Sequence, residues 1–380
     1  MTNGPTTPKP GAPRPLCADE SLGARKPTQA SFAVSSARRP TRLPSPIAGL
    51  LSRIYVAEIN RRNRAFDRGR NVSALDRPVI SVGNLSAGGT GKTPAVRTLC
   101  TWLLEAGLKP CIAMRGYKPG PHGSDEQLEY ERTLPGVPVI AHPNRAAALD
   151  RFLASPRGAG TDCVVLDDGF QHRRLARHLD IVLIDASRSP FEDAPLPLGF
   201  LREPPGSLGR AQAVIVTHAE LVQPVAVVEL IARIKEINPA ITPAVCSHEW
   251  SELCIRDIDG SIRCEHVHWM RGKRALAVCA IGNPQGFFAA ATCALAREPV
   301  GTIQLADHAP FSKAQIARIQ RAIRRFNAEI VLVTIKDDVK LARNASLDVP
   351  VVAPHLVLGF QDGQANLRDL VLSAARGAVP

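Results

Sequence analysis

The 380-residue chain contains no C-x-x-C pair, although it holds nine cysteines. An odd, scattered set of this kind excludes a disulfide framework and the usual zinc-ribbon spacings. It points instead to a reducing compartment and buried thiols. Cys163 and Cys279 sit inside apolar, strand-like runs and are expected in the core. No apolar run reaches the ~20 residues that span a bilayer. None follows Met1, so no secretory signal is expected. Aromatic residues make up only 4%, and no aromatic-rich or groove-reading motif accompanies the basic segments. Charged residues are 22% against 45% hydrophobic, which excludes a wholly disordered chain. The length suggests about two domains with ample core for each.

Net positive charge is also small over most of the chain. Residues 1–45 hold seven Lys/Arg against two acids, and residues 46–70 hold six against two, which places +9 of the net +12 in the first 70 residues. The body is therefore not a basic nucleic-acid surface, and no nucleic-acid partner is expected. Residues 1–45, rich in Pro, Thr, Ser and Arg, read as a disordered tail. In residues 46–70, Ile47, Leu50, Leu51, Ile54, Tyr55 and Ile59 recur at helical spacing and are expected to share one face. Arg53, Arg61, Arg62, Arg64, Arg68 and Arg70 accompany them. Such a helix suits the headgroup region of a membrane, or equally an ordinary packed helix with a solvated basic end.

What the chain does have is the stretch RPVISVGNLSAGGTGKTPAVRT, from Arg77 to Thr98. Val79 to Val82 reads as a buried strand, the glycines as a turn, and Lys92-Thr93 as the opening of a helix. A triphosphate needs many donors close together, and glycines let the backbone approach it and present its N–H groups in a nest. Ser86, Ala87, Gly88, Gly89, Thr90 and Gly91 are expected around the phosphates. Lys92 would reach the β/γ-phosphates and the Thr93 hydroxyl would bind Mg²⁺. The strict pattern wants Gly where Ser86 stands, and Gly88 and Gly89 supply the freedom.

Downstream, Pro94 to Leu104 continues the helix, Pro110 to Met114 is a strand, and KPGPHGSDEQ is a loop ending at Asp125 and Glu126. Asp125 alone reads as a helix cap. VPVIA is a short strand and NRAAALDRFLA a helix. In DCVVLDDGFQHRRLARHLDIVLID, a buried strand ends in Asp167 and Asp168. A carboxylate there completes the Mg²⁺ site of phosphate-loop proteins. Two adjacent aspartates cannot point the same way along an extended chain, so one would take the metal and one water or substrate. The proline-rich loop PLPLGFLREPP holds Arg202 and Glu203, and AQAVIVTHAE reads as a further strand.

This alternation predicts an α/β fold: a P-loop NTPase-like, doubly wound sheet over residues 71–245, with ligands beyond the carboxyl ends of its strands. Around residue 246 the pattern changes to alternation, with Asp259-Gly260 at a tight turn, so residues 246–272 are expected to form a hairpin linker. Residues 273–380 then read as a second, smaller α/β domain. In it EIVLVTIKDD is read as a strand, followed by another short strand and a last helix near Leu367 to Ala375. His308, in a loop after a strand, reads as structural when taken alone.

Together the motifs VGNLSAGGTGKTP, RGY, SDE, DDGFQHRRLARHLDIVLID, FLREP, AIGNP, ADHAPF and TIKDDVK resemble those of the tetraacyldisaccharide 4'-kinase family, from about residue 46 to the last helix. The resemblance implies transfer of the γ-phosphoryl of ATP to the 4'-hydroxyl of an acylated, 1-phosphorylated glucosamine disaccharide. It implies work at the cytoplasmic face of the inner membrane, with residues 46–70 as the membrane-associated helix, and a monomer is expected. By motif, Asp125 and His308 match the family's catalytic pair, which would take the proton of the attacking hydroxyl. Asp167, Asp168 and Glu203 match the acidic cluster at the metal, with Asp168 and Lys92 also in catalysis. Arg202 lines the same loop, and Gln171 and His172 match residues facing nucleotide and substrate. The chain departs from the family pattern at Ser124, Ala309 and Ile335. Two other readings remain: a soluble P-loop kinase or nucleotide switch, and a non-catalytic nucleotide-binding tether.

Overall fold

The computed structural model describes residues 40–41, 43–116, 124–281, 284–306, 309–344 and 347–377. For Asp125, Arg343 and Asn344 it describes the backbone alone. The expected tail, up to residue 39, and His308 lie outside the described residues.

The apolar runs read from the sequence are strands because helices cover them on both faces. In the first half these are β1 (Val79–Asn84), β2 (Pro110–Met114), β3 (Val139–Ala141), β4 (Cys163–Asp167), β5 (Leu179–Asp185) and β6 (Ala213–Thr217). All residues of β1, β2, β4 and β6 are buried. Successive side chains of β1 enter opposite layers, Ile80 and Val82 on one side and Val79 on the other. The helices are α1 (Ser45–Asp67), α2 (Lys92–Glu105), α3 (Asp125–Thr133), α4 (Arg145–Leu153) and α5 (Pro224–Ile237). The second half contributes β7 (Ala244–Arg256), β8 (Ile262–His266), β9 (Ala275–Cys279), β10 (Gly301–Gln304), β11 (Ile330–Leu332) and β12 (Val351–Asp362), with α6 (Pro284–Leu295), α7 (Lys313–Phe326), α8 (Ile335–Asn344) and α9 (Gln364–Ala375).

Among the described residues all twelve strands join one sheet, in the order β10-β9-β11-β12-β7-β6-β5-β1-β4-β2-β3, with β8 paired to β7. The strands from β3 to β6 run parallel, and β7 continues them parallel to β6. Long β7 and β12 then pair antiparallel, from Val351↔Arg256 to Asp362↔Val245. The expected hairpin is the β7–β8 pair, closed around Asp257 to Ser261.

Three local expectations change. EIVLVTIKDD is not one strand: β11 stops at Leu332 and α8 begins at Ile335. The Thr334 hydroxyl accepts the Asp337 N–H at 3.1 Å, so it caps the helix and ends the extended run. The "short strand" after it is the twelve-residue β12. Finally, the last helix returns to the first half. Leu367, Val371, Ala374 and Ala375 of α9 pack in the core formed by α2 and β1.

Helix α1 divides its apolar residues between two faces. Ile59 is buried, and Tyr55 donates its hydroxyl to the Arg202 carbonyl at 2.9 Å. Ser52 donates to the Pro195 carbonyl, also at 2.9 Å. Ile47, Leu50, Leu51 and Ile54 remain exposed, Leu50 at 61% and Ile54 at 58%. All six apolar residues were expected on one face; instead Tyr55 turns to the 195–203 loop and Ile59 is buried, while the other four face outward. No described helix is long and apolar enough to cross a membrane.

Candidate active site

The site forms where β1 lies between β4 and β5, at the carboxyl ends of parallel strands. Gly88 (φ 133°) and Gly91 (φ 82°) take backbone conformations that side-chain-bearing residues rarely adopt. Gly91 is also the cap of α2, and no side chain caps it, so the first N–H groups of α2 are left for a ligand. A Cβ at Gly91 would come 2.5 Å from Nε2 of His248. The loop is fixed from both sides. Asn84 donates Nδ2–H to the Thr90 hydroxyl at 2.8 Å, and the Thr217 hydroxyl donates to the Thr90 carbonyl at 3.1 Å. The Ala87 N–H donates to the Phe200 carbonyl at 2.7 Å, and Ser86 bridges to Leu201. The 195–203 loop therefore forms one wall of the glycine turn.

β4 pairs with β1 in the register Val82↔Asp167, which brings the aspartates level with the turn. Asp168 has φ 52°, and this left-handed bend sends the two carboxylates apart. Buried Arg145 secures the bend by donating Nη1–H to the carbonyls of Asp167 (2.9 Å) and Asp168 (3.2 Å). The Asp168 carboxylate meets Arg202 Nη1 with both oxygens, at 2.9 and 2.8 Å, and Lys92 Nζ at 3.6 Å. Burial would raise its pKa, but Lys92 and Arg202 outweigh burial and hold it below the ordinary carboxylate range. Asp167 turns inward, where burial raises its pKa to about 6 against the pull of Lys92. Its Oδ2 accepts the Tyr130 hydroxyl at 3.1 Å, while its Oδ1 is buried without a partner.

The Thr93 side chain lies beside the same phenol and draws its pKa down against the effect of burial. One phenol thus brings together the hydroxyl and the carboxylate that a hard cation would need. The orphaned Asp167 oxygen, the Thr93 hydroxyl and their all-oxygen chemistry fit Mg²⁺. Glu203 is placed differently from the expectation. It is 1% exposed, with both oxygens on Arg210 (2.9 and 2.8 Å) and one also accepting Asn63 Nδ2–H at 2.9 Å. Its lone pairs are engaged beneath α1, and none of its hydrogen bonds joins it to Asp167 or Asp168.

Gln171 donates Nε2–H to the Asn84 carbonyl at 2.9 Å, which ties it to the end of β1. His172 is half-buried among arginines. Burial first, then Arg145 and Arg177, pushes its pKa down to about 4, so its ring is neutral. Asp125 stands at the start of α3, capped by Ser124, and the side chain of its expected partner His308 is outside the described residues. α3 is clasped to the second half: Arg132 and Arg256 both bind Asp338 of α8, itself 1% exposed, and Glu126 lies 3.6 Å from Lys336. Sequence reading missed Tyr130, Arg145 and Asn84. Asn84 was within reach, since it ends the strand just before the loop; single residues on α3 and α4 carry no such signal.

A helix N-terminus behind a glycine turn, faced by a lysine and a divided aspartate pair from the next strand, places the chain among P-loop NTPase-like α/β proteins. Comparison narrows this class. The chain belongs to the tetraacyldisaccharide-1-P 4'-kinase family, whose family model matches residues 46–375. It is 33% identical over 343 residues to the tetraacyldisaccharide 4'-kinase of Geobacter metallireducens, covering 84% of this chain and 96% of that one. The enzyme of the same name from Anaeromyxobacter dehalogenans (strain 2CP-C) is 34% identical over 300 residues, covering 74% of this chain and 77% of its own. A crystal structure of LpxK from Aquifex aeolicus in complex with ATP superposes with a TM-score of 0.65 at 26% identity, covering 87% of this chain and 99% of that one.

Proposed function

We propose that the protein transfers the γ-phosphoryl group of ATP to the 4'-hydroxyl of a tetraacylated glucosamine disaccharide 1-phosphate, a step of lipid A biosynthesis. The observation that carries this reading is the glycine turn facing Lys92 and the divided Asp167–Asp168 pair, in a chain of this kinase family. The nest of Gly88 to Gly91 and the open N-terminus of α2 bind the phosphates. Lys92 and Arg202 stabilise negative charge as it spreads over the transferred phosphoryl group, and Asp168 holds both cations in place. Thr93 and Asp167 hold Mg²⁺, which when bound neutralises the phosphate oxygens. Asp125, with His308, takes the proton from the attacking hydroxyl. Residues 71–245, with α9 packed against them, act as the nucleotide-binding part, and the rest of 273–380 acts as a second part, linked by the hairpin of 246–272. The exposed apolar residues of α1 and the arginines around them rest on the cytoplasmic face of the inner membrane. The protein acts there as a monomer.

The test incubates the full chain with Mg²⁺, γ-labelled ATP and the acceptor lipid in detergent, beside Asp125→Ala. Label is expected on the lipid with the unaltered chain and at least ~100-fold less in the variant. Equal transfer by both would remove Asp125 from the mechanism. No transfer despite intact ATP binding would overturn the lipid kinase and favour a soluble kinase or a tether.

A further inference from the structure

Behind the glycine turn lies a group of side chains that phosphoryl transfer does not use. His218 follows β6 in a left-handed conformation, with φ 58°. Glu220 lies in the short 3-10 turn after it (Ala219–Leu221), and His248 lies on β7. One ligand atom of each falls within 4.8 Å of the other two, the single such trio among the described residues. Nδ1 of His218 is 2.8 Å from Nδ1 of His248 and 3.3 Å from Oε1 of Glu220. The other Glu220 oxygen accepts the His248 backbone N–H at 3.2 Å, which aims the carboxylate at the rings.

We propose that His218 Nδ1, His248 Nδ1 and a carboxylate oxygen of Glu220 form a binding site for a divalent transition metal of the zinc class. Two imidazoles and a carboxylate are a zinc donor set, and they leave a fourth position for water. Nitrogen ligands disfavour Mg²⁺ and Ca²⁺, so this site and the oxygen site at Thr93 and Asp167 select different ions. A tetrahedral ion with bonds of about 2.0–2.1 Å needs its nitrogens roughly half an ångström further apart than the present pair. Small rotations of the two partly buried rings supply that. Metal ligation moves the ring proton of His218 to Nε2, where Asp185 Oδ2 stands 4.0 Å away as the carboxylate that commonly orients such a histidine. His248 Nε2 is buried without a hydrogen-bond partner, so the polar engagement of that ring lies wholly on its Nδ1 edge. The strained backbone of His218 fits a residue held for a function rather than for packing. Because the His248 ring abuts Gly91, an ion on Nδ1 also fixes one wall of the phosphate loop.

The test uses the full chain stripped with a chelator, titrated with Zn²⁺ by calorimetry and with Co²⁺ by its visible d–d absorption. One ion per chain is expected, with a tetrahedral Co²⁺ spectrum. His218→Ala and His248→Ala should each weaken Zn²⁺ binding at least ~10-fold, the least that loss of even an outer-shell partner costs. Glu220 is exposed, so Glu220→Gln serves if the histidine variants misfold, and it too should weaken binding. Cys264, His266 and His268 are exposed near one another and form the obvious competing surface site. Their triple alanine variant should bind as the unaltered chain does. Loss of Zn²⁺ in the triple variant alone, equal binding by all variants, or no binding would each overturn the proposal.

Discussion

Asp167 and Asp168 are chain neighbours with opposite electrostatics, because one left-handed residue aims one carboxylate into the core and the other at two cations. For Asp167 the folded pKa, about 6, lies above the unfolded value. Between roughly pH 4 and 6 the unfolded chain has lost a proton that the folded protein keeps, so this residue makes stability fall as pH rises through that window. Above it, the buried charge costs on the order of 3 kcal/mol. Asp168 runs the other way: its stabilisation is present above the unfolded range and is lost as pH falls through its lowered pKa. Asp167→Asn should therefore melt higher than the unaltered chain at pH 7.5, with the difference shrinking toward pH 4.5, while phosphoryl transfer falls at least ~100-fold. A lower melting temperature at pH 7.5 would contradict this account. Lys92, Thr93 and both aspartates were legible because the loop motif and the strand end are local patterns. Glu203 was not, because one of its partners, Asn63, stands 140 residues away. Tyr130 was equally invisible, since its partners lie on other elements.

At the scale of elements, fully buried strands were read well and half-exposed ones poorly. β1, β2 and β4 are buried along their whole length, whereas β12 passes from a buried start to an exposed end and was underestimated in length. The helix α8 was hidden because the β-branched run before Thr334 continues into Ile335, and only the capping hydroxyl marks the boundary. Replacing Thr334 by Ala should lower stability by about 1 kcal/mol, read as a drop in the thermal midpoint. The outer face of α1 gives a second prediction. Leu50→Glu with Ile54→Glu changes two exposed side chains and should leave the melting temperature nearly unchanged. Binding to anionic vesicles should fall by about 10- to 100-fold, from the apolar area no longer inserted. Unchanged vesicle binding would take the membrane contact away from this face.

On the scale of the whole molecule, the chain leaves the first half along β7 and comes back along β12, so the two halves share one sheet and α9 ends in the core it started. No sequence pattern near residue 364 announces this, because α9 packs on α2 and β1, more than 250 positions earlier, and on β5 and β7, more than 100 positions earlier. α9 buries Leu367 and Val371 fully, along with two alanines. At roughly 1.5–3 kcal/mol per buried aliphatic side chain, its loss removes much of the 5–15 kcal/mol that typically holds a domain. A chain ending at Gly363 should show no cooperative thermal transition, and a soluble, cooperatively melting truncation would refute this. The same return path bears on synthesis. A ribosome emits the glycine turn, its strand and α2 early, but the helix that seals their apolar groove emerges long afterwards. Throughout elongation the nascent nucleotide half therefore carries an open hydrophobic trough. That makes it a natural client for chaperones at the tunnel exit and a place where a premature stop yields an aggregating product rather than a smaller working enzyme.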